Sequence, residues 1–176
     1  MVASREGACS MNIPETRGFT LIELLITLGI IAVLAAIALP VFSAYQVRGY
    51  NASALADVRN IRTMEESMFS DKQDYGSSLP AVAEESLNLV DSAGNNQAVA
   101  LTKGVFAGAK ALLSTSGGKN STYTAAAKHR NGDFEFGIDA EDQRLFKKKM
   151  TLTVNLQASD IPDPTLGNDM TSWNQL

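Results

Sequence analysis

Apolar residues run almost unbroken over positions 19–39, interrupted by a single carboxylate, Glu23, and separated by Gly18 from the polar stretch at 12–17. A run of 21 residues predicts a helix of roughly 32 Å at ~1.5 Å per residue, close to the thickness of a bilayer's hydrocarbon core. Beyond it the pattern changes. Val47, Tyr50, Ala54, Val58, Ile61, Met64 and Met68 recur at spacings of three and four, and Arg48, Asp57, Arg59, Arg62, Glu65 and Glu66 fall mostly elsewhere around the helix. One long helix over residues 19–70 is predicted, its half at 19–39 fit to span a membrane and its amphipathic half laid on a globular head at 71–176. Pro40 lacks the N–H that would bond four residues back, so a kink or local melting is expected there, with Gly29 and Gly49 adding slack.

In the head, residues 76–121 read as a variable loop region containing short elements. Turns are expected at Leu79-Pro80 and Gly94-Asn95-Asn96, and the segment AVALTKGVFAGAKALL fits a strand, a helix or both. Strand patterns sharpen at TYTAAAKH, DFEFGID and RLFKKKMTLTVNL, separated by Arg130-Asn131-Gly132 and by residues 140–143. Asn131-Gly132 is a strong hairpin signal. The expected fold is α+β: an antiparallel sheet whose apolar face, with Phe134, Phe136, Ile138 and Phe146, packs on the amphipathic half of the helix. The tail at 159–176 reads as irregular and surface-lying, pinned by Trp173.

Charge narrows the functions. The formal net charge is −4, and Arg5 and Arg17 cancel Glu6 and Glu15, so the whole net charge lies after Gly18. Nothing there favours nucleic acid as a main partner, and the neutral N-terminal segment gives the positive-inside rule little to act on. Cys9 is the single cysteine and precedes Gly18, so no disulfide is available to the rest of the chain.

Glu23 is the first candidate for chemistry, because a carboxylate in the middle of a spanning helix costs about 3 kcal/mol, and less near the end. Either it stays hydrated at headgroup depth or it has a charged partner. A cut after Gly18 would supply one: the new α-amino group of Phe19, with a pKa near ~8, on the same chain or on a neighbouring copy. Catalytic residues are not expected. His129 has no second histidine, cysteine or phosphate loop to work with and reads as a hydrogen-bonded or solvated surface residue, and no nucleophile elbow is present. Asp160, Asp163 and Asp169 match no calcium loop, so no metal and no cofactor is expected. Lys147, Lys148 and Lys149 alternate faces along a strand. Asn120-Ser121-Thr122 is a weak glycosylation cue.

Gly18, Phe19, Thr20, Leu21, Ile22 and Glu23, followed by the apolar run and Pro40, resemble the class III signal of type IV pilins and their relatives, the pseudopilins. The likeness extends over residues 18–76 and is closest to the geopilins of metal-reducing bacteria. It implies that residues 1–18 are a prepilin leader, with translation starting at Met11, cut after Gly18 by a prepilin peptidase that also N-methylates Phe19. It further implies a cytoplasmic N-terminus, a single pass through the inner membrane, and Glu23-guided entry into a helical homopolymer built by a pilus assembly machinery. Phe19, Glu23 and Pro40 are the implied assembly residues, and attachment, twitching motility or DNA uptake the implied uses. Phe42, Tyr45, Tyr50, Phe69 and Tyr75 are read as packing residues rather than an electron relay. Two alternatives stay open: a pseudopilin of a type II secretion system, and a membrane-tethered extracytoplasmic binding domain that never polymerises.

Overall fold

The computed structural model describes residues 18–114 and 117–176; the expectations for Cys9, for Met11 and for the leader before Gly18 lie outside them. The helix α1 runs Leu21–Lys72, with Pro40 inside it. It passes through two compact units, one ending at Val41 and one comprising Phe42–Leu176. In the first unit the leucine, isoleucine and valine side chains from Leu21 to Val41 are 51–76% exposed. Among the described residues this is the one helix long and apolar enough to cross a membrane.

The second unit places the rest of α1 against two antiparallel sheets. After the helix the chain forms β1 (Ser77–Ser78), β2 (Ala83–Glu84), β3 (Ser86–Val90), β4 (Asn96–Ala100), β5 (Val105–Leu113), β6 (Asn120–His129), β7 (Phe134–Asp139), β8 (Phe146–Lys149) and β9 (Asn174–Gln175). A three-stranded sheet has the order β1-β3-β4 and a six-stranded sheet the order β2-β5-β6-β7-β8-β9. The ambiguous segment at 98–113 therefore contributes the end of β4 and all of β5, turning at Gly104 with φ +85°. The β3–β4 turn uses Gly94 at φ +84°, while Asp91 Oδ1 accepts from Ala93 N and Asn95 N. Asn131-Gly132 lies in a four-residue connection between β6 and β7, where Asn51 of α1 clamps the turn. Its Nδ2 donates to Asp133 Oδ1 (2.6 Å) and its Oδ1 accepts from Asp133 N (3.1 Å).

The main core joins Ala54, Val58, Ile61 and Met68 of α1 to Leu87, Leu89 and Val99 of the small sheet and to Tyr123, Ala125, Ala127, Phe136 and Ile138 of the large one. Four expectations change. Phe146 pairs with Gly137 and so lies on the opposite face from Phe136, in a second core with Ala126, Leu156, Ile161, Met170 and Trp173. The third predicted strand, 144–156, forms a strand only at Phe146–Lys149: Met150 N still reaches Asp133 O in the β7 register, but Thr153, at φ +69°, leaves the extended conformation and donates to Arg130 O. The tail is not surface-lying: Ile161, Met170 and Trp173 are buried, and β9 adds a strand beside β8. His129 is buried as well, stacked on Tyr50 (centroids 4.3 Å apart), with Nδ1 accepting from Asn131 N. Burial lowers its pKa, so it is neutral at pH 7.

Candidate processing and assembly site

Gly18, Phe19 and Thr20 precede the first helical turn and are exposed, Phe19 by 90%. A side chain at Gly18 would meet nothing within 4 Å among the described residues. Thr20 caps the helix. Its carbonyl accepts from Leu24 N (3.3 Å), its Oγ1 accepts from Glu23 N (3.3 Å), and its own N–H donates to Glu23 Oε2 (3.1 Å). The Thr20 hydroxyl also donates to that oxygen at 3.0 Å. This is a capping box, satisfying backbone groups that a helix start leaves unpaired and setting a negative charge against the positive end of the helix dipole. The Thr-x-x-Glu spacing at 20–23 carried the signal, and the sequence reading passed over it.

Glu23 thus has a local role in addition to the two considered from sequence. The box uses Oε2 among the described residues. Gly18, Phe19 and Glu23 are neighbours at the helix start, whereas Pro40, 17 residues beyond Glu23, is roughly 25 Å away at ~1.5 Å per residue. The helix continues across Pro40 even though its nitrogen cannot donate to the Ala36 carbonyl. Between them, Ile26, Gly29, Ile30, Val33 and Leu34 line a shallow apolar hollow made by the missing side chain of Gly29.

Two carboxylates of the second helix half are buried, against the outward placement expected from the pattern. Asp57 accepts from Thr102 N (2.8 Å) and Thr102 Oγ1 (3.1 Å). Glu65 accepts from Gly76 N (2.8 Å), while its Oε1 has no hydrogen-bond partner, and burial pushes its carboxyl up to about 8. Of the aromatics, Tyr50, Phe69 and Tyr75 pack within the head, Phe69 and Tyr75 stacking at 4.4 Å; Phe19, Phe42 and Tyr45 are exposed. Asn120 of the sequon is buried, its Nδ2 donating to Tyr75 O. Asp160, Asp163 and Asp169 are spent separately, on Gln157 N, Lys110 Nζ and Thr165 N.

Residues 15–39 match the family described as the prokaryotic N-terminal methylation motif. Over 62 residues the chain is 45% identical to the type IV major pilin protein PilA of Myxococcus xanthus, a stretch covering 35% of this chain and 28% of that protein. No solved structure matches. The N-terminal motif and its likeness to a type IV pilin thus coincide with an α+β fold of pilin type: a long N-terminal helix and antiparallel sheets.

Proposed function

We propose that this chain is a major type IV pilin, a non-enzymatic structural subunit that polymerises through its N-terminal helix. The observation that carries the reading is one coincidence. The methylation motif at 15–39 overlies a helix half whose large apolar side chains are exposed and whose one carboxylate sits in the first turn. A prepilin peptidase at the cytoplasmic face cuts between Gly18 and Phe19 and methylates Phe19. Until assembly, residues 19–39 anchor the subunit in the inner membrane; the pilus machinery then moves it into a surface fibre. Leaving lipid for a bundle of like helices gains packing rather than hydrophobic transfer. Close approach at Gly29 and the pairing of Glu23 with the Phe19 amine of a neighbouring copy therefore set the register, and Pro40 supplies the point at which the helix adapts to the bundle. Attachment, twitching motility or DNA uptake are the uses of such a fibre. The likeness to the geopilins rests on residues 18–76.

The test is to shear the cell surface, collect the fibres and weigh the N-terminal peptide of this protein. A chain beginning at Phe19 with one added methyl group, found in sheared fibres, is the expected result. The same methylated chain confined to the envelope would replace the reading with the pseudopilin, and an uncut N-terminus would overturn processing altogether.

A further inference from the structure

The face of the six-stranded sheet turned away from α1 carries three cross-strand rows. In the middle row Gly108, Ala126, Gly137 and Phe146 stand opposite one another on β5, β6, β7 and β8. A side chain at Gly108 would collide first with the backbone oxygen of Ala81 and then with Ile161, and one at Gly137 would crowd Trp173 and Met170. These glycines form the seat of the C-terminal segment. The row on one side clamps the segment's backbone: Lys110 Nζ donates to Ile161 O (2.7 Å), Thr124 Oγ1 donates to Pro162 O (2.6 Å), and Asp139 Oδ2 accepts from Asp169 N (2.7 Å). On the other side Lys128, fully buried, donates to Val154 O (2.6 Å). The segment reaches this seat through the exposed connector at 151–155.

Glu135 stands in the same row as Lys128, between it and Lys148 in register. It is fully buried, and neither carboxyl oxygen has a hydrogen-bond partner. The charged groups facing it are Asp160 from the C-terminal segment, Lys148 from β8 and Lys128 from β6; Asp133 in turn faces Lys128. An ionised carboxylate without hydrogen bonds is costly to bury. Burial, reinforced by Asp160, outweighs the two lysines and holds the acid protonated up to about 8.

We propose that residues 154–173 form a detachable strap and that Glu135 is its latch, tolerating the cover while neutral and favouring the open strap once ionised. With the strap open, water reaches the carboxyl group and returns it toward the ordinary value of 4.5. Opening therefore releases one proton between that value and about 8, and the open-to-closed ratio rises about tenfold per pH unit across the window before levelling off. Asp139, which holds Asp169 N, is raised only to about 6. The interval above that separates Glu135 from Asp139, and a Glu65 variant separates it from the other buried acid raised to about 8.

The experiment is amide hydrogen exchange of strap peptides in the full chain in detergent micelles, corrected for the intrinsic pH dependence of exchange, from about pH 6.5 to about pH 8. The wild type is expected to open about tenfold more per pH unit. Glu135→Gln and Glu135→Leu are expected to be flat, and Glu65→Gln, whose carboxyl is buried among the residues of the other core, keeps the wild-type slope. A wild type without a slope, or a Glu135→Gln slope equal to the wild type's, overturns the latch. Trp173 is the only tryptophan, and its emission reports whether the strap is seated. Emission unchanged in both Glu135 variants at about pH 6.5 is expected, since the neutral acid and its substitutes are then alike in charge; a red shift in both would make Glu135 a packing residue and overturn the proposal.

Discussion

Between Leu21 and Val41 every leucine, isoleucine and valine of α1 is more than half exposed, whereas from Ala54 onward the same helix buries Val58, Ile61 and Met68 together with two carboxylates, Asp57 and Glu65. The backbone geometry is common to both halves; what surrounds the side chains is not. In the first half the side-chain hydrogen bonds are local, the Thr20–Glu23 box at the helix start and Thr27 Oγ1 donating to Leu24 O. The apolar surface of this half stays exposed. In the second half the cover comes from the chain itself, and two acidic side chains are turned inward to hold backbone N–H groups of the loops that follow. A buried acid in a helix thus holds the loops of the head, while the acid at the start of the apolar half caps its own helix.

The largest effect that would sharpen this contrast is expected at Glu23. Glu23→Leu should leave the subunit in the membrane fraction and reduce sheared fibres to background, and fibres at wild-type yield would remove Glu23 from assembly. Next is truncation within the core. Ile61→Ala should cost the head about 2–5 kcal/mol in denaturant unfolding followed by near-ultraviolet signals, whereas Ile30→Ala should change it by less than about 0.5 kcal/mol. Equal losses would mean that the first half is packed inside the subunit after all.

A third effect is pH-dependent. Burial raises the Glu65 carboxyl from 4.5 to about 8, so the folded head keeps a proton that the unfolded chain gives up. Its stability should therefore fall as pH rises across that window and level off above it. Glu65→Gln should make the fall shallower, and an unchanged pH profile would count against an acid held neutral by burial. The smallest effect is local: Thr20→Ala should cost the helix start about 1 kcal/mol. Hydrogen exchange confined to the first turn in micelles would register it, and fraying that spread past Gly29 would assign Thr20 more than a cap.

Much of the helix was legible in the chain. Uninterrupted apolarity at 19–39 and the spacing of three and four from Val47 are local signals, because periodicity depends only on residues a few positions apart. The hairpin at Asn131-Gly132 and the inward-facing Phe134, Phe136 and Ile138 were legible for the same reason. The faces of Asp57 and Glu65 were not. A pattern count assigns charges outward, and the donors that reverse this, Thr102 and Gly76, lie 45 and 11 residues away. His129 looked like a surface residue because neither Tyr50 nor the turn beside it is visible from the strand pattern.

The C-terminal third shows the same division. Phe146 was grouped with Phe136 by its apolar character, but pairing with Gly137 sets it on the other face. A strand's alternation fixes which residues share a face without saying which face meets the helix. The sequence reading assigned the sheet one covered face, and only contact with Ile161, Met170 and Trp173 reveals the second.

The length and apolarity of the N-terminal helix and the presence of an antiparallel head could be read from the chain, because each follows from short-range periodicity. Which carboxylates are buried, which face each strand presents and where the tail lies came from the tertiary structure, because those depend on partners distant in the chain whose meeting fixes the local dielectric and the register.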